Sequence, residues 1–257
     1  MPGREVDWPA YLARFHAERP GVVEDVLSRA SRAGQSPYRW LARAVSEDAT
    51  TVVDLASGSG PVARELARPG RTVVGLDLSA DELRLAARRG AGPLVRADAR
   101  TLPFRDASVD VVTSALGLVV VQPLGEVLAE VARVLRPGGV LAAIAPALRP
   151  LAPSDLRRLG RLSTTLRGGP RFPGPVELAG FRRGLAEHGL QVVEDKRERY
   201  RFTVGTSDDA WLLVSSLYLP HTSPARVAAA VDHLSEAAER EGGVEIAIPV
   251  RRIVALR

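Results

Sequence analysis

The chain has 257 residues, 46% of them hydrophobic, which suits one sizeable core with additions rather than two separate domains. Its net charge of +5 rests on 35 basic residues, all arginine except Lys196, so the basic balance reflects a compositional habit before it reflects a partner. With no cysteine, disulfides, thiolate metal sites and cysteine nucleophiles are excluded, which fits a reducing, cytoplasmic location. The opening ten residues carry Glu5 and Asp7 and no apolar core, and no later run approaches the ~20 apolar residues of a membrane span. Neither a signal peptide nor a membrane partner is expected.

Residues 5–47 read as helical and hold Trp8, Tyr11, Phe15, Tyr38 and Trp40, a concentration of aromatics that predicts a helical lid over residues 1–48. From Thr51 onward, short β-branched runs alternate with helical patterns, the signature of a mostly parallel sheet with helices on both faces. Val52-Val53 leads into Gly58 and Gly60, and Pro61 suits the first position of a helix. Thr72 to Leu76 is a second strand ending at Asp77, followed by a capping box, Ser79 to Glu82, and a helix stopped by Gly90. Leu94-Val95 runs to Asp98, and Val109 to Val112 opens a fourth strand. Leu124, Val127, Leu128, Val131, Val134 and Leu135 make one helix face, and the turn Arg136-Pro137-Gly138-Gly139 leads into a fifth strand at Val140 to Ala145.

Residues 146–175 are rich in Pro, Gly and Arg and read as a mobile surface insertion. A helix from Val176 to His188 and a strand from Leu190 to Val204 follow. Two helices, Asp208 to Leu219 and Pro224 to Glu241, fill a second insertion at 206–242 before the last strand, Val244 to Ala255. The expected fold is a Rossmann-like, doubly wound, mostly parallel seven-stranded sheet spanning residues 49–257, with an N-terminal helical lid and a C-terminal helical insertion.

The chemistry is concentrated in Asp54-Leu55-Ala56-Ser57-Gly58-Ser59-Gly60, which follows a strand and precedes a helix. Its backbone can approach a ligand closely, and the helix amino terminus can face a polar group. Gly58 to Ala63 also fits the Gly-x-Gly-x-x-Gly/Ala dinucleotide fingerprint, which keeps a nicotinamide or flavin reading open. Asp77 stands where a carboxylate accepts ribose hydroxyls. Asp98 stands where it and the Ala99 N–H can read an adenine edge. Three strands ending in acids fit a neutral adenosine with a sulfonium tail better than a pyrophosphate.

Taken together, residues 51–145 resemble the class I S-adenosylmethionine-dependent methyltransferases, particularly the branch that methylates small molecules and quinones. The resemblance rests on the Gly-rich turn, Asp77, Asp98-Ala99, Val109 to Val112 and Leu135 to Gly139. It implies S-adenosylmethionine as cofactor, held by Asp54, Ala56, Ser57, Gly58 and Gly60, by Asp77 with Leu78, and by Asp98 with Ala99. Ser114 to Leu118 would lie beside the transferred methyl. The sequence departs from the family at Ala56, where glycine is usual, which adds a methyl group facing the methionine end of the cofactor. The paired-proline motif of DNA amino-methylating enzymes is absent at Ser114 to Gly117, which disfavours a nucleic-acid base as substrate.

Methyl transfer needs a general base only when the acceptor is protonated. His16, in the aromatic lid, and His221, in the break Pro220-His221-Thr222, are the candidate bases. Tyr11 and Tyr38, with Phe15, are candidates for an aromatic wall over the sulfonium. The expected partner is a small organic acceptor methylated on oxygen, nitrogen or carbon, in secondary metabolism or quinone biosynthesis, by a monomer or homodimer. Residues 149–201 carry twelve basic and six acidic side chains, which keeps an RNA methyltransferase as a rival. A protein of this fold that binds the cofactor without methylating is a second rival.

Overall fold

The computed structural model describes residues 5–178 and 180–257; residues 1–4 of the expected lid lie outside the described residues. Three helices come first, α1 (Trp8–Glu18), α2 (Val22–Arg29) and α3 (Pro37–Ala42). The β-branched runs then form β1 (Thr51–Leu55), β2 (Thr72–Asp77), β3 (Leu94–Arg96), β4 (Val109–Ala115) and β5 (Leu135–Pro146). They alternate with α4 (Pro61–Leu66), α5 (Ala80–Arg88), α6 (Gly117–Val120) and α7 (Leu124–Val134). The chain continues through α8 (Pro153–Leu166), α9 (Phe181–Glu187), β6 (Gln191–Val204), α10 (Ser207–Ser215), α11 (Pro224–Glu241) and β7 (Val244–Leu256).

The strands make one sheet in the order β3-β2-β1-β4-β5-β7-β6, with β1 to β5 parallel and β7 antiparallel to both neighbours. This is the expected seven-stranded, mostly parallel sheet. Val52, Val53 and Leu55 of β1 are fully buried, as a central strand covered on both faces requires. On one face Val127, Leu128, Val131 and Val134 of α7 pack against Val112 and Leu141. On the other, Val26, Leu27 and Ala30 share a core with Val52, Val62 and Val111, so α2 packs directly into the sheet's core.

Two expectations fail on the carboxyl-terminal side. Within the stretch read as a mobile insertion, residues 153–166 form a fourteen-residue helix with Leu162 and Leu166 buried. Pro153 opens that helix, and the Asp155 carboxylate accepts the Ala152 N–H at 2.7 Å and two bonds from Arg199 at 2.6 Å each. The Gly-Pro run after it remains irregular. The helix expected over 176–188 is broken into a single turn, Val176–Leu178, and α9, because Gly180 takes a left-handed conformation (φ 76°) at the α9 N-cap.

Asp155 is 3% exposed and its partner Arg199 leans on it, which holds the carboxyl below the usual carboxylate range. Asp155→Ala is therefore expected to strand a guanidinium and uncap α8, at a cost of about 3 kcal/mol. Differential scanning calorimetry should show a melting temperature lower by roughly 6–12 °C; an unchanged value would remove α8 from the cooperative core.

Much of the charge between residues 149 and 201 is spent internally. Arg158 pairs with Glu241, Arg182 with Asp195, Arg197 with Glu177, Arg199 with Asp155 and Lys196 with Glu194. Among the described residues no helix is long and apolar enough to cross a membrane.

Candidate active site

The chain leaves β1 toward β2 and β3 on one side and β4 and β5 on the other, so the crevice at the carboxyl ends of β1 and β4 is the topological switch point where ligands bind in such sheets. Asp54 is paired in register with Thr113, which brings their side chains together, and the Thr113 hydroxyl donates to Asp54 Oδ1 at 2.8 Å. Asp54 is 1% exposed, and its Oδ2 is buried without a protein partner. Burial pushes this carboxyl up to about 7, against the lowering effect of the Thr113 bond and with a smaller raising effect from Asp77.

The turn beyond it is built from the backbone. Ser57 N–H donates to Leu76 O at 3.0 Å, while the Ser57 hydroxyl is buried and unpartnered. Gly58 N–H donates to Asp77 Oδ2 at 2.8 Å, and Ser79 N–H donates to Asp77 Oδ1 at 2.8 Å. Each Asp77 oxygen keeps a lone pair for a further donor such as a ribose hydroxyl. Gly60 sits at φ 80° immediately before α4, and a Cβ there would lie 2.5 Å from the Ala91 methyl, so glycine is required on both counts. Leu78, 62% exposed, presents an apolar surface beside Asp77.

Other expected contacts are arranged differently. Ala56 adopts φ 53°, and its methyl is turned toward Gly117, where a Cβ would come within 2.6 Å of it. The missing side chain at 117 thus makes room for the extra methyl at 56. Ser114 is fully buried, and its hydroxyl donates to Leu55 O at 3.0 Å, which ties β4 to β1. The Asp98 carboxylate is gripped by Arg100, with Nε at 3.0 and 3.1 Å and Nη2 at 2.6 Å, which lowers its pKa. Ala99 is buried in the core. Asp98 is thus paired with a neighbour two residues away.

The helical segment before β1 is bonded to α5 and to Tyr218. His16 Nδ1 is 2.8 Å from Glu82 Oε1, and His16 Nε2 is 3.1 Å from the Tyr218 hydroxyl. The Ser79–Glu82 capping box forms only by half. Ser79 Oγ accepts Glu82 N–H at 3.3 Å, but Ser79 N–H is taken by Asp77, and the Glu82 carboxylate turns to Gly21 N–H at 3.1 and 3.2 Å and to His16. Tyr218 is 7% exposed and packs edge-on against Phe15, Tyr11 and Phe172. Burial, with Glu82, Asp77 and Tyr11 nearby, pushes its phenol well up, so it remains a donor.

Tyr11 joins that cluster and accepts Leu219 N–H at 2.8 Å. Tyr38 of α3 is 4% exposed and packed in the core, where burial and the nearby charges of Glu24, Asp54 and Glu82 raise its pKa. His221 is exposed in the turn between α10 and α11. Asp54, the Gly-rich turn and Asp77 are thus joined by direct bonds or adjacent strands, His16 and Tyr11 meet at Tyr218, Tyr38 is buried under the charge of Asp54, and His221 faces solvent.

Residues 53–143 match a family model described as a methyltransferase domain, and this segment runs from β1 through the Gly-rich turn to β5. This matched segment, about a third of the chain, is similar to methyltransferase domains. Among relatives, the domain is similar to a demethylmenaquinone methyltransferase of Thermobifida fusca, 35% identical over 53% of this chain and 61% of that protein. It is also similar to a ubiquinone/menaquinone biosynthesis C-methyltransferase of Desulfotalea psychrophila, 38% identical over 54% of this chain and 56% of that protein. The chain thus spans little more than half the length of these relatives. The fold also resembles the YcgJ protein of Bacillus subtilis, at a TM-score of 0.58 and 18% identity over 86% of this chain and 97% of that one. The cyclase SpnF superposes equally well, at a TM-score of 0.58 and 18% identity over 97% of this chain and 92% of that one. A fold shared by proteins so differently named does not fix a reaction, so the residues in the crevice must carry the functional argument.

Proposed function

We propose that this methyltransferase domain binds S-adenosylmethionine at the carboxyl ends of β1 and β2 and methylates a small organic acceptor, the reduced quinol form of a quinone such as its relatives' names specify. The observation that carries this reading is Asp54 Oδ2, a buried carboxylate oxygen without a protein partner beside a turn already shaped by Asp77. Such an oxygen suits an ammonium, and the free lone pairs of Asp77 suit two ribose hydroxyls. Leu78 would cover one face of the adenine. When bound, the cofactor supplies an electrophilic methyl group, and the transfer is an in-line displacement that depends mainly on alignment.

The rest falls to this chain's own side chains. Tyr11, Phe15, Phe172 and Tyr218 form an aromatic wall that excludes water and suits a flat acceptor ring. His16, oriented by Glu82, would take the acceptor's proton, with Tyr218 as the intervening hydroxyl. Of the helices before β1, α1 acts as the lid in this reading. A cytoplasmic location belongs to the same proposal, in keeping with the absence of cysteine.

The test is a titration with S-adenosylhomocysteine and, separately, with NAD. Incubation with S-adenosylmethionine and a 2-demethylated 1,4-naphthoquinol follows, with mass spectrometry of the product. Binding of S-adenosylhomocysteine alone and a product heavier by one methylene are expected. NAD binding would overturn the cofactor assignment. Cofactor binding without a methylated quinol would overturn the acceptor.

A further inference from the structure

The Gly-rich turn is held from two sides, and only one of them lies within the matched segment. On the sheet side Ser57 and Gly58 donate to Leu76 and Asp77. On the other side stands Glu24 of α2, 8% exposed and outside residues 53–143. Its carboxylate accepts the hydroxyl of Ser59, the turn residue between the two left-handed glycines, and also pairs with Arg64 of α4. Arg64 Nη1 in turn donates to the Ser59 carbonyl at 2.7 Å, so both polar groups of Ser59 are held through one carboxylate. Arg89 at the end of α5 closes the group, its Nη1 lying 2.8 Å from Glu24 Oε2 as an ion pair without hydrogen-bond alignment.

This arrangement does more than anchor a helix. Gly58 and Gly60 have the widest conformational choice of any residues in the turn, so the shape that lets the backbone approach a ligand must be imposed from outside. Ser59 is 2% exposed, and its hydroxyl is spent on Glu24, so that group makes a frame for the turn and not a ligand contact. The support for the frame is firm because Val26 and Leu27 of the same helix are buried in the core with Val62 and Ala63 of α4. In contrast α1 is joined to the body by His16, Arg19, Tyr11 and the aromatic cluster. Helix α2 is thus a wall of the site, and any movement of a lid belongs to α1.

We infer that Glu24 is a positioning residue for the cofactor turn, acting through Ser59 and Arg64, so that cofactor affinity depends on the helices ahead of the matched domain. The inference rests on the cofactor reading above, and its test keeps the two apart. S-adenosylhomocysteine is titrated calorimetrically into the full chain, its Glu24→Gln and Ser59→Ala variants and the double variant, at a temperature where circular dichroism shows each folded. Each single change is expected to weaken binding about tenfold, as loss of a buried charge-assisted bond does, and the double change should add little further loss. Ser59→Ala leaves the Glu24–Arg64–Arg89 group intact, so it carries the test should Glu24→Gln fail to fold. A folded Ser59→Ala or Glu24→Gln protein that binds like the wild type would overturn the inference, as would fully additive losses. A wild-type chain that fails to bind S-adenosylhomocysteine would instead overturn the cofactor reading on which it stands.

Discussion

Asp54→Asn is expected to weaken S-adenosylhomocysteine binding about 10- to 100-fold and to flatten its dependence on pH below neutrality. The magnitude is that of a buried hydrogen bond to a charged group lost in favour of a neutral amide. The pH dependence follows from the empty site. Burial moves the Asp54 carboxyl from 3.8 to about 7, so the folded, ligand-free protein prefers it protonated. A group raised in this way contributes its stability in full below about pH 4 and loses it as pH rises through 7. Over that window the empty protein should lose up to about 4 kcal/mol, the equivalent of three units at 1.36 kcal/mol each. An ammonium seated against Oδ2 favours the carboxylate, so binding expels the proton. Affinity should then rise nearly tenfold per pH unit up to about 7 and level off above it. Asparagine has no proton to expel, and it should also stabilise the ligand-free protein at pH 8. Calorimetry in buffers of different ionisation enthalpy measures the proton release directly. A wild-type affinity that stays constant between pH 5.5 and 8 would remove Asp54 from contact with the ligand's amine.

The parts of this site that were legible in the sequence are those set by local chain geometry. Asp54, Gly58, Gly60 and Asp77 lie at the ends of successive strand-helix units, and a strand that ends in an acid before a turn leaves a pattern readable without any tertiary knowledge. Glu24, Glu82 and Tyr218 left no such pattern. Glu82 occupied a capping position that accounted for it fully, yet its carboxylate bonds to Gly21 and His16, sixty-one and sixty-six residues away. Tyr218 looked like the tail of a helix, but α10 stops at Ser215, and the unwound residues swing the ring under α1. Helix α8 was obscured by the prolines and glycines around it, although Pro153 and Asp155 are ordinary first-turn residues. Asp98 was read from the same strand-end geometry, and its pairing with Arg100 two residues on was not.

The largest effect on turnover is expected at His16. Its Nδ1 faces the Glu82 carboxylate and its Nε2 faces the Tyr218 hydroxyl, with Asp77 the next charge nearby, so the ring is oriented at both nitrogens. This is the geometry of a base whose orientation is fixed by a carboxylate, and such bases contribute about 100-fold or more to the rate. For a quinol acceptor, His16→Asn should therefore lower kcat about 100-fold while cofactor affinity changes only a few-fold. The residual reaction must then draw on acceptor molecules that have already ionised. Its rate should climb about tenfold per pH unit toward the acceptor's own phenolic pKa near ~10, a rise the wild type lacks because His16 removes that requirement. Tyr218→Phe should move the same quantities in the same direction, since the histidine is reached through that hydroxyl. A His16→Asn protein with the wild-type pH profile would leave the ring a latch between α1 and α5, and the proton would then have to depart directly to water.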